Sequence, residues 1–169
     1  KVYGRFYEYE GTIPAMDSFR RYIRKNGLPM SLYMDKHSTY KSTGKPTIED
    51  ELNGTEPVSE FGRALKELGV QLIHAHSPQA KGRVERLFNT LQDRLIKEMR
   101  LRDISSIAEA NEFLKEYLPI YNRRFAKKAA QTENLHRPIP KGLDLNRILC
   151  IKTELTVRND FTIAHERKL

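Results

Sequence analysis

The sequence has 169 residues, enough for one hydrophobic core with a small appendage, and its formal net charge of +8 indicates a polyanionic partner, most often nucleic acid. A basic soluble protein without such a partner is the alternative that charge alone leaves open. The single cysteine excludes an internal disulfide, and no apolar run reaches the ~18–20 residues of a membrane span, so we expect a reducing cytoplasm and no membrane contact.

The first half of the chain predicts alternating strands and helices. Aromatic and β-branched residues predict a strand over residues 2–9, and apolar residues at helical spacing then predict a helix that Thr12 caps. A second strand is predicted over residues 28–34, followed by a long polar loop over residues 40–57. A helix and a strand follow over residues 58–75. This alternation favours an α/β layer with some parallel pairing.

Two long helices are predicted in the second half. The first covers residues 83–100, and its apolar stripe is expected to be buried; the stripe comprises Val84, Leu87, Phe88, Leu91 and Leu95. Ser106 and Glu109 have the spacing of a capping box, which predicts the start of the second helix, and Pro119 should kink that helix. These helices are predicted to complete a main domain over residues 1–125.

The remaining residues predict a linker and a small extension. Paired lysines and several prolines over residues 126–142 indicate the linker. Residues 143–169 predict a short helical turn and two strands around residues 159–160, and two strands alone are only marginally stable. We therefore expect either the start of a small C-terminal β domain or an extension that packs on the main domain.

Two carboxylates stand where α/β proteins often place functional groups. Asp35 follows a predicted strand, and Glu85 lies in the first predicted turn of a helix that follows another strand. Each has a structural alternative. Asp35 could be a turn residue that bonds its own backbone, and Glu85 could favour the positive end of its helix.

The segment that carries Glu85 is basic, and its charges bear on that choice. Lys81, Glu85, Asn89 and Gln92 share one polar helix face, and the cations of the segment are Arg83, Arg86, Arg94, Lys97, Arg100 and Arg102. A solvated helix face is the simplest interpretation of such charge, but a face that follows phosphates fits the net charge better. Hard divalent cations prefer carboxylate oxygens, so acids in a basic field indicate metal-assisted phosphoryl chemistry.

Three motifs carry a family resemblance. The sequence Met-Asp-Lys-His-Ser-Thr-Tyr at residues 34–40 resembles the second-aspartate motif of integrase-type transposases, and residues 77–86, with Lys-Gly-Arg-Val-Glu-Arg, resemble their catalytic-glutamate motif. Tyr-Asn-Arg-Arg at residues 121–124 resembles the Tyr-Asn element near the end of their core. The chain is thus similar, over roughly residues 1–124, to bacterial insertion-sequence transposases with an integrase catalytic core of the retroviral-integrase superfamily.

The resemblance implies a ribonuclease-H-like fold, in which helices flank a mixed sheet. It also implies a catalytic triad of two Asp and one Glu that binds two Mg²⁺ or Mn²⁺ ions. Asp35 would be the second Asp and Glu85 the Glu, each as a metal ligand. The first Asp would precede the strand over residues 2–9, so we expect the first strand to be missing and residues 1–169 alone to be inactive.

The implied function is DNA transposition by strand cleavage and strand transfer. The partners would be transposon ends and target DNA, handled by a homo-oligomer of the complete protein in a bacterial cytoplasm, at the nucleoid. The residues expected to bind DNA are Lys81, Arg83, Arg86, Asn89, Arg94, Arg123 and Arg124. Ordinary surface charge is the alternative for the cations. A non-catalytic DNA-binding remnant and a ribonuclease-H-like nuclease are the alternative functions.

Overall fold

In the computed structural model, helices alternate with short strands along the chain. The structure describes residues 1–34, 57–74, 78–126, 133–153 and 155–163, and for residues 78–81 and 83 it describes the helical backbone alone. The elements are α1 (Thr12–Asn26), β1 (Leu28–Pro29), β2 (Ser31–Met34), α2 (Glu60–Glu67), β3 (Gln71–His74), α3 (Pro78–Leu101), α4 (Ile107–Phe125), β4 (His136–Arg137) and α5 (Leu145–Ile148). This order confirms a mixed α/β chain. Residues 40–56 of the expected loop lie outside the described ranges.

The strands β2 and β3 form a parallel pair. Their register joins Ser31 to Gln71 and Met34 to His74. Parallel strands need a crossover connection, and α2 lies in the connection between these two, which is the βαβ arrangement that the sequence pattern predicts. Parallel pairing is therefore confirmed, whereas the described residues form two two-stranded sheets instead of the single mixed sheet that was expected.

The strands β1 and β4 form an antiparallel pair, so the strand expected over residues 28–34 is divided between two partners. Leu28 lies opposite Arg137. Gly27 precedes β1 with a φ of 87°, and a Cβ added there would lie 2.7 Å from the carbonyl oxygen of Arg137, so only glycine fits. The segment over residues 126–142, expected to be a linker, thus contributes a strand to the fold.

The strand expected over residues 2–9 is not formed. Two asparagine side chains of α4 take the place of a neighbouring strand. The Asn111 amide accepts from the backbone N–H of Phe6 at 2.9 Å and donates to its carbonyl at 3.1 Å. Asn122 makes the same pair of hydrogen bonds with the backbone of Val2. Because each amide presents an N–H donor and a carbonyl acceptor side by side, it bonds to the N–H and C=O groups of one residue as a neighbouring strand would.

The main core lies between α1, α2 and α5. Its fully buried side chains include Ile23, Leu28, Phe61, Leu65 and Leu149, and the rings of Phe19 and Phe61 meet edge to face at 5.8 Å between centroids. Burial of these apolar side chains is the main driving force for the packing. Since Leu149 belongs to this core, the first part of the C-terminal extension packs on the main domain.

A second core lies between α3 and α4, and it covers only part of the stripe expected on α3. Leu95 is buried there against α4, but 51% of Val84 and 59% of Phe88 are exposed. The prediction that these two side chains are buried is therefore wrong. The capping box of Ser106 and Glu109 is confirmed, with both reciprocal hydrogen bonds present. No helix in the described ranges is both long and apolar enough to cross a bilayer.

The C-terminal residues are attached to α2 by charge. Arg63 bonds to Glu60 and Glu67 of its own helix and to the carbonyl oxygens of residues 148 and 150. Lys152 adds an ion pair to Glu67 at 2.9 Å. Further on, residues 159–160 form a turn, and the described part of residues 151–163 contains none of the strands that were expected.

Candidate active site and nucleic-acid interface

The carboxyl ends of β2 and β3 meet at one edge of the parallel pair. Met34, the last residue of β2, lies beside His74, the last residue of β3. Asp35 is the next residue in the sequence after Met34 and lies outside the described residues. After His74 the chain passes through residues 75–77, which are likewise outside them, and enters α3 at Pro78. The edge is where α/β sheets usually carry their sites.

Glu85 lies about two turns inside α3 and not in its first turn. The helix begins at Pro78, a residue well suited to a first helical position, and its first turn holds no acidic side chain. The charge of a helix end is felt mainly within the first turn. The alternative that Glu85 is only a charge at the end of its helix therefore loses its physical basis.

The Glu85 side chain is exposed and makes no hydrogen bond or ion pair with any other described side chain. Asn89 lies one turn further along the same face and is also exposed. Arg86 is turned back along the helix, where its Nε donates to the carbonyl oxygen of Gly82 at 2.9 Å. A carboxylate on an open helix face that no described side chain engages is suited to bind a divalent cation that approaches from solvent.

Another acid of the same helix behaves differently. Asp93 forms an ion pair with Lys97, and the hydrogen bond from Lys97 lowers the pKa of Asp93. Its charge is thus already compensated within α3.

Within the described residues no three His, Cys, Asp or Glu side chains come together as a metal site, so a complete ligand set would have to include groups outside them, such as Asp35.

Two of the expected DNA-binding arginines contact the same aromatic ring although they stand on different helices. The guanidinium carbon of Arg94, on α3, lies 5.0 Å from the ring centroid of Phe125, and that of Arg124, on α4, lies 5.4 Å from the same centroid. The side chains of Lys81 and Arg83 lie outside the described set. Phe125 was missed in the sequence, although its spacing from three other aromatic residues of α4 was a usable signal.

The Tyr-Asn element has a structural role in this chain. Tyr121 is buried, and its ring centroid lies 4.8 Å from that of Phe125. Asn122 holds the backbone of Val2, as described above. Arg123 is exposed and lines a broad cleft together with N-terminal residues. Neither Arg94 nor Arg124 lines this cleft, so Arg123 is separate from the two arginines at Phe125.

A cleft of about 680 Å³ lies between the N-terminal residues, the start of α1 and the residues after α5. On its wall the Tyr7 hydroxyl donates to Asp17 at 2.8 Å, and Arg21 bonds the same carboxylate oxygen at 2.7 Å. Burial, and then the bond to Asp17, raise the pKa of Tyr7 to about 12. Burial alone would raise the pKa of Asp17, but the bonds from Arg21 and Tyr7 lower it overall.

Comparison with known proteins identifies the class to which this geometry belongs. A family model described as an integrase core domain matches residues 66–129, which contain β3, α3 with Glu85, and α4. Together with the transposases to which the chain is similar, this match supports an insertion-sequence transposase of the integrase superfamily. The recognition drawn from the three motifs is confirmed.

The chain is similar to two curated transposases. It is 38% identical to a putative transposase, y4bF, of Sinorhizobium fredii (strain NBRC 101917 / NGR234) over 165 residues, which are 97% of this chain and 35% of that protein. It is 33% identical to the transposase for insertion sequence IS1202 of Streptococcus pneumoniae over 152 residues, which are 87% of this chain and 32% of that protein. The chain thus spans about a third of the length of these relatives. No solved structure matches it significantly.

Proposed function

We propose that the chain forms part of the catalytic core of a DNA transposase that cleaves DNA strands and joins them to a target by phosphoryl transfer. The parallel pairing of β2 with β3 is the observation that carries this proposal. It brings the strand end before Asp35 beside the strand end before α3, the helix that carries Glu85. The integrase-core match over residues 66–129 supports the same assignment.

The donor chemistry fits a divalent metal. Asp35 and Glu85 supply carboxylate oxygens, which Mg²⁺ and Mn²⁺ prefer, and the exposed Glu85 carboxylate is not engaged by another described side chain. Two such ions, when bound, would supply activation of the attacking oxygen and stabilisation of the leaving oxygen. In the proposal Asp35 and Glu85 hold them, together with a further carboxylate of the complete protein.

The surrounding polar residues would hold the DNA. Cations that contact phosphates set the position of the duplex and carry no sequence information themselves. The residues proposed for this task are Lys81, Arg83, Arg86, Asn89, Arg94, Arg123 and Arg124. Transposon ends and target DNA are the proposed partners, and a homo-oligomer of the complete protein is proposed because two DNA ends have to be handled together.

The test is metal-dependent strand transfer by the full-length protein on paired transposon-end DNA. Glu85→Gln keeps the size of the side chain and removes the charge. Loss of residues that only support a metal ligand typically costs 10–100-fold, so loss of a ligand should lower the rate by more than about 100-fold. Glu98→Gln, the same change at an exposed glutamate of α3, is the matched control and should leave the rate unchanged.

Each remaining outcome separates the alternatives. A Glu85→Gln protein as fast as wild type would remove the central assignment. If the wild-type protein binds DNA but shows no strand transfer with either metal, the non-catalytic remnant is supported. Cleavage of RNA in RNA–DNA hybrids without strand transfer would instead support the nuclease.

A further inference from the structure

An aromatic row on α4 leads from the second core to the surface. Phe113, Tyr117, Tyr121 and Phe125 are spaced four residues apart, so they share one helix face. Neighbouring ring centroids along the row lie 5.5, 6.0 and 4.8 Å apart. Phe113 and Tyr121 are buried, whereas 39% of Phe125 is exposed. The last ring is therefore held by the core on one side and open to solvent on the other.

Two exposed arginines are held at this last ring, one from each helix. Arg94 and Arg124 lie 5.0 and 5.4 Å from the Phe125 centroid, and neither forms an ion pair with a described carboxylate. The negative faces of an aromatic ring attract guanidinium groups, so the Phe125 ring stabilises both arginines in these positions. Both guanidinium groups are thus held at one ring, and neither is hydrogen-bonded to a described carboxylate.

The other end of the row shows that this arrangement is not a general feature of the helix pair. Arg102 lies 4.6 Å from the centroid of the buried Phe113 ring, and it also contacts the Glu116 carboxylate at 3.4 Å. Its charge is thus compensated within the protein. Only the pair at Phe125, among the described arginine–aromatic contacts of these two helices, joins two arginines without an ion pair to an exposed ring.

We propose that Phe125 is a positioning residue that holds Arg94 and Arg124 as a two-arginine clamp for a DNA phosphate. Guanidinium groups match the oxygens of a phosphate with paired, charge-assisted hydrogen bonds, and a ring that fixes them in advance lowers the entropy lost on binding. The clamp joins α3 and α4, so a bound phosphate bridges the helix that carries Glu85 and its neighbour. This inference rests on the proposed function, since it assumes that the protein binds DNA.

The test is equilibrium binding of the full-length protein to a labelled duplex oligonucleotide, followed by anisotropy between about 50 and about 200 mM salt. Arg94→Gln and Arg124→Gln should each reduce the slope of log K against log salt by about one. Phe125→Leu keeps both charges and the apolar volume, yet it should weaken binding several-fold. Arg94→Gln should then cost much less in the Phe125→Leu background, and Phe125→Tyr should restore wild-type binding.

Arg102→Gln is the matched control, because it also removes one cation and one arginine–ring contact. It should leave the salt slope unchanged. Additive losses from Phe125→Leu and Arg94→Gln would overturn the inference, as would a Phe125→Leu protein of lowered melting temperature and unchanged DNA affinity. If Phe125→Leu does not fold, additive losses from Arg94→Gln and Arg124→Gln would overturn it in the same way.

The two proposals fail in different ways. A wild-type protein that binds no DNA removes the proposed function and this inference together. A wild-type protein that performs strand transfer and binds DNA, but in which Phe125 and the two arginines act independently, removes the inference alone.

Discussion

The asparagine clamp on the N-terminal segment permits a sharp test of stability. Asn111→Leu keeps the branched shape of the side chain and removes both hydrogen bonds to the backbone of Phe6, which measure 2.9 and 3.1 Å. Each bond contributes about 0.5–1.5 kcal/mol net, and the N–H and C=O groups left behind add a desolvation cost. Both bonds are only partly buried, so water can satisfy some of that cost. We expect a loss of about 2–3 kcal/mol.

Urea unfolding of the purified protein measures this loss, and the melting temperature should fall by about 5–10 °C. Asn26→Leu is the matched control, since Asn26 is exposed and its amide bonds only to the carbonyl of Tyr22 in its own helix. It should change the free energy of unfolding by less than about 0.5 kcal/mol. Hydrogen exchange at the Phe6 amide gives a second readout and should become faster in Asn111→Leu. Equal stabilities for the two variants, or an amide as protected as in wild type, would refute the reasoning.

Two further predictions concern the cleft and α3. Because the folded state raises the pKa of Tyr7 from 10.0 to about 12, its contribution to stability is complete below pH 10.0 and is lost as the pH rises to about 12. The ring is partly exposed, so we expect Tyr7→Phe to flatten this alkaline fall of the urea midpoint by only about 1 kcal/mol. Tyr9→Phe is the control, and an unchanged alkaline curve for Tyr7→Phe would contradict the assignment. On α3, Leu95→Ala should cost about 2–4 kcal/mol because Leu95 is buried, whereas Phe88→Ser should cost less than about 0.5 kcal/mol. A large loss for Phe88→Ser in urea unfolding would show that something covers that ring.

The elements that could be predicted from the sequence are those set by neighbouring residues. The capping box at Ser106 needs only residues three apart, and it formed as predicted. The two-residue strand β4 bonds to β1 more than a hundred positions away, and no local pattern carries that information. The same holds for Asn111 and Asn122, whose partners are at the other end of the chain. Their one local signal was a pair of amides three turns apart on an otherwise apolar helix face.

Periodicity shows which residues share a face, and it leaves open whether anything covers that face. The stripe on α3 is continuous in the sequence, but α4 covers it at Leu95 and leaves Phe88 exposed.

The site shows the same division between local and distant information. Asp35 and Glu85 were identified by motif, whereas the parallel register between β2 and β3 could not be derived from either motif.

The start of α3 bears directly on what Glu85 can do. In a helix that began at residue 83, Glu85 would lie in the first turn, close to the free backbone N–H groups. Their positive potential would then account for an acidic residue at this position without a bound ligand. With α3 beginning at Pro78, that potential has fallen off before Glu85 is reached. The neighbouring row of the helix is engaged with its own backbone, through Arg86 to Gly82 and Thr90 to Arg86. The row of Glu85 and Asn89 makes no such bonds and is open to solvent. Glu85, which matches the catalytic motif, is therefore among the described side chains of this helix that are left available for an external partner.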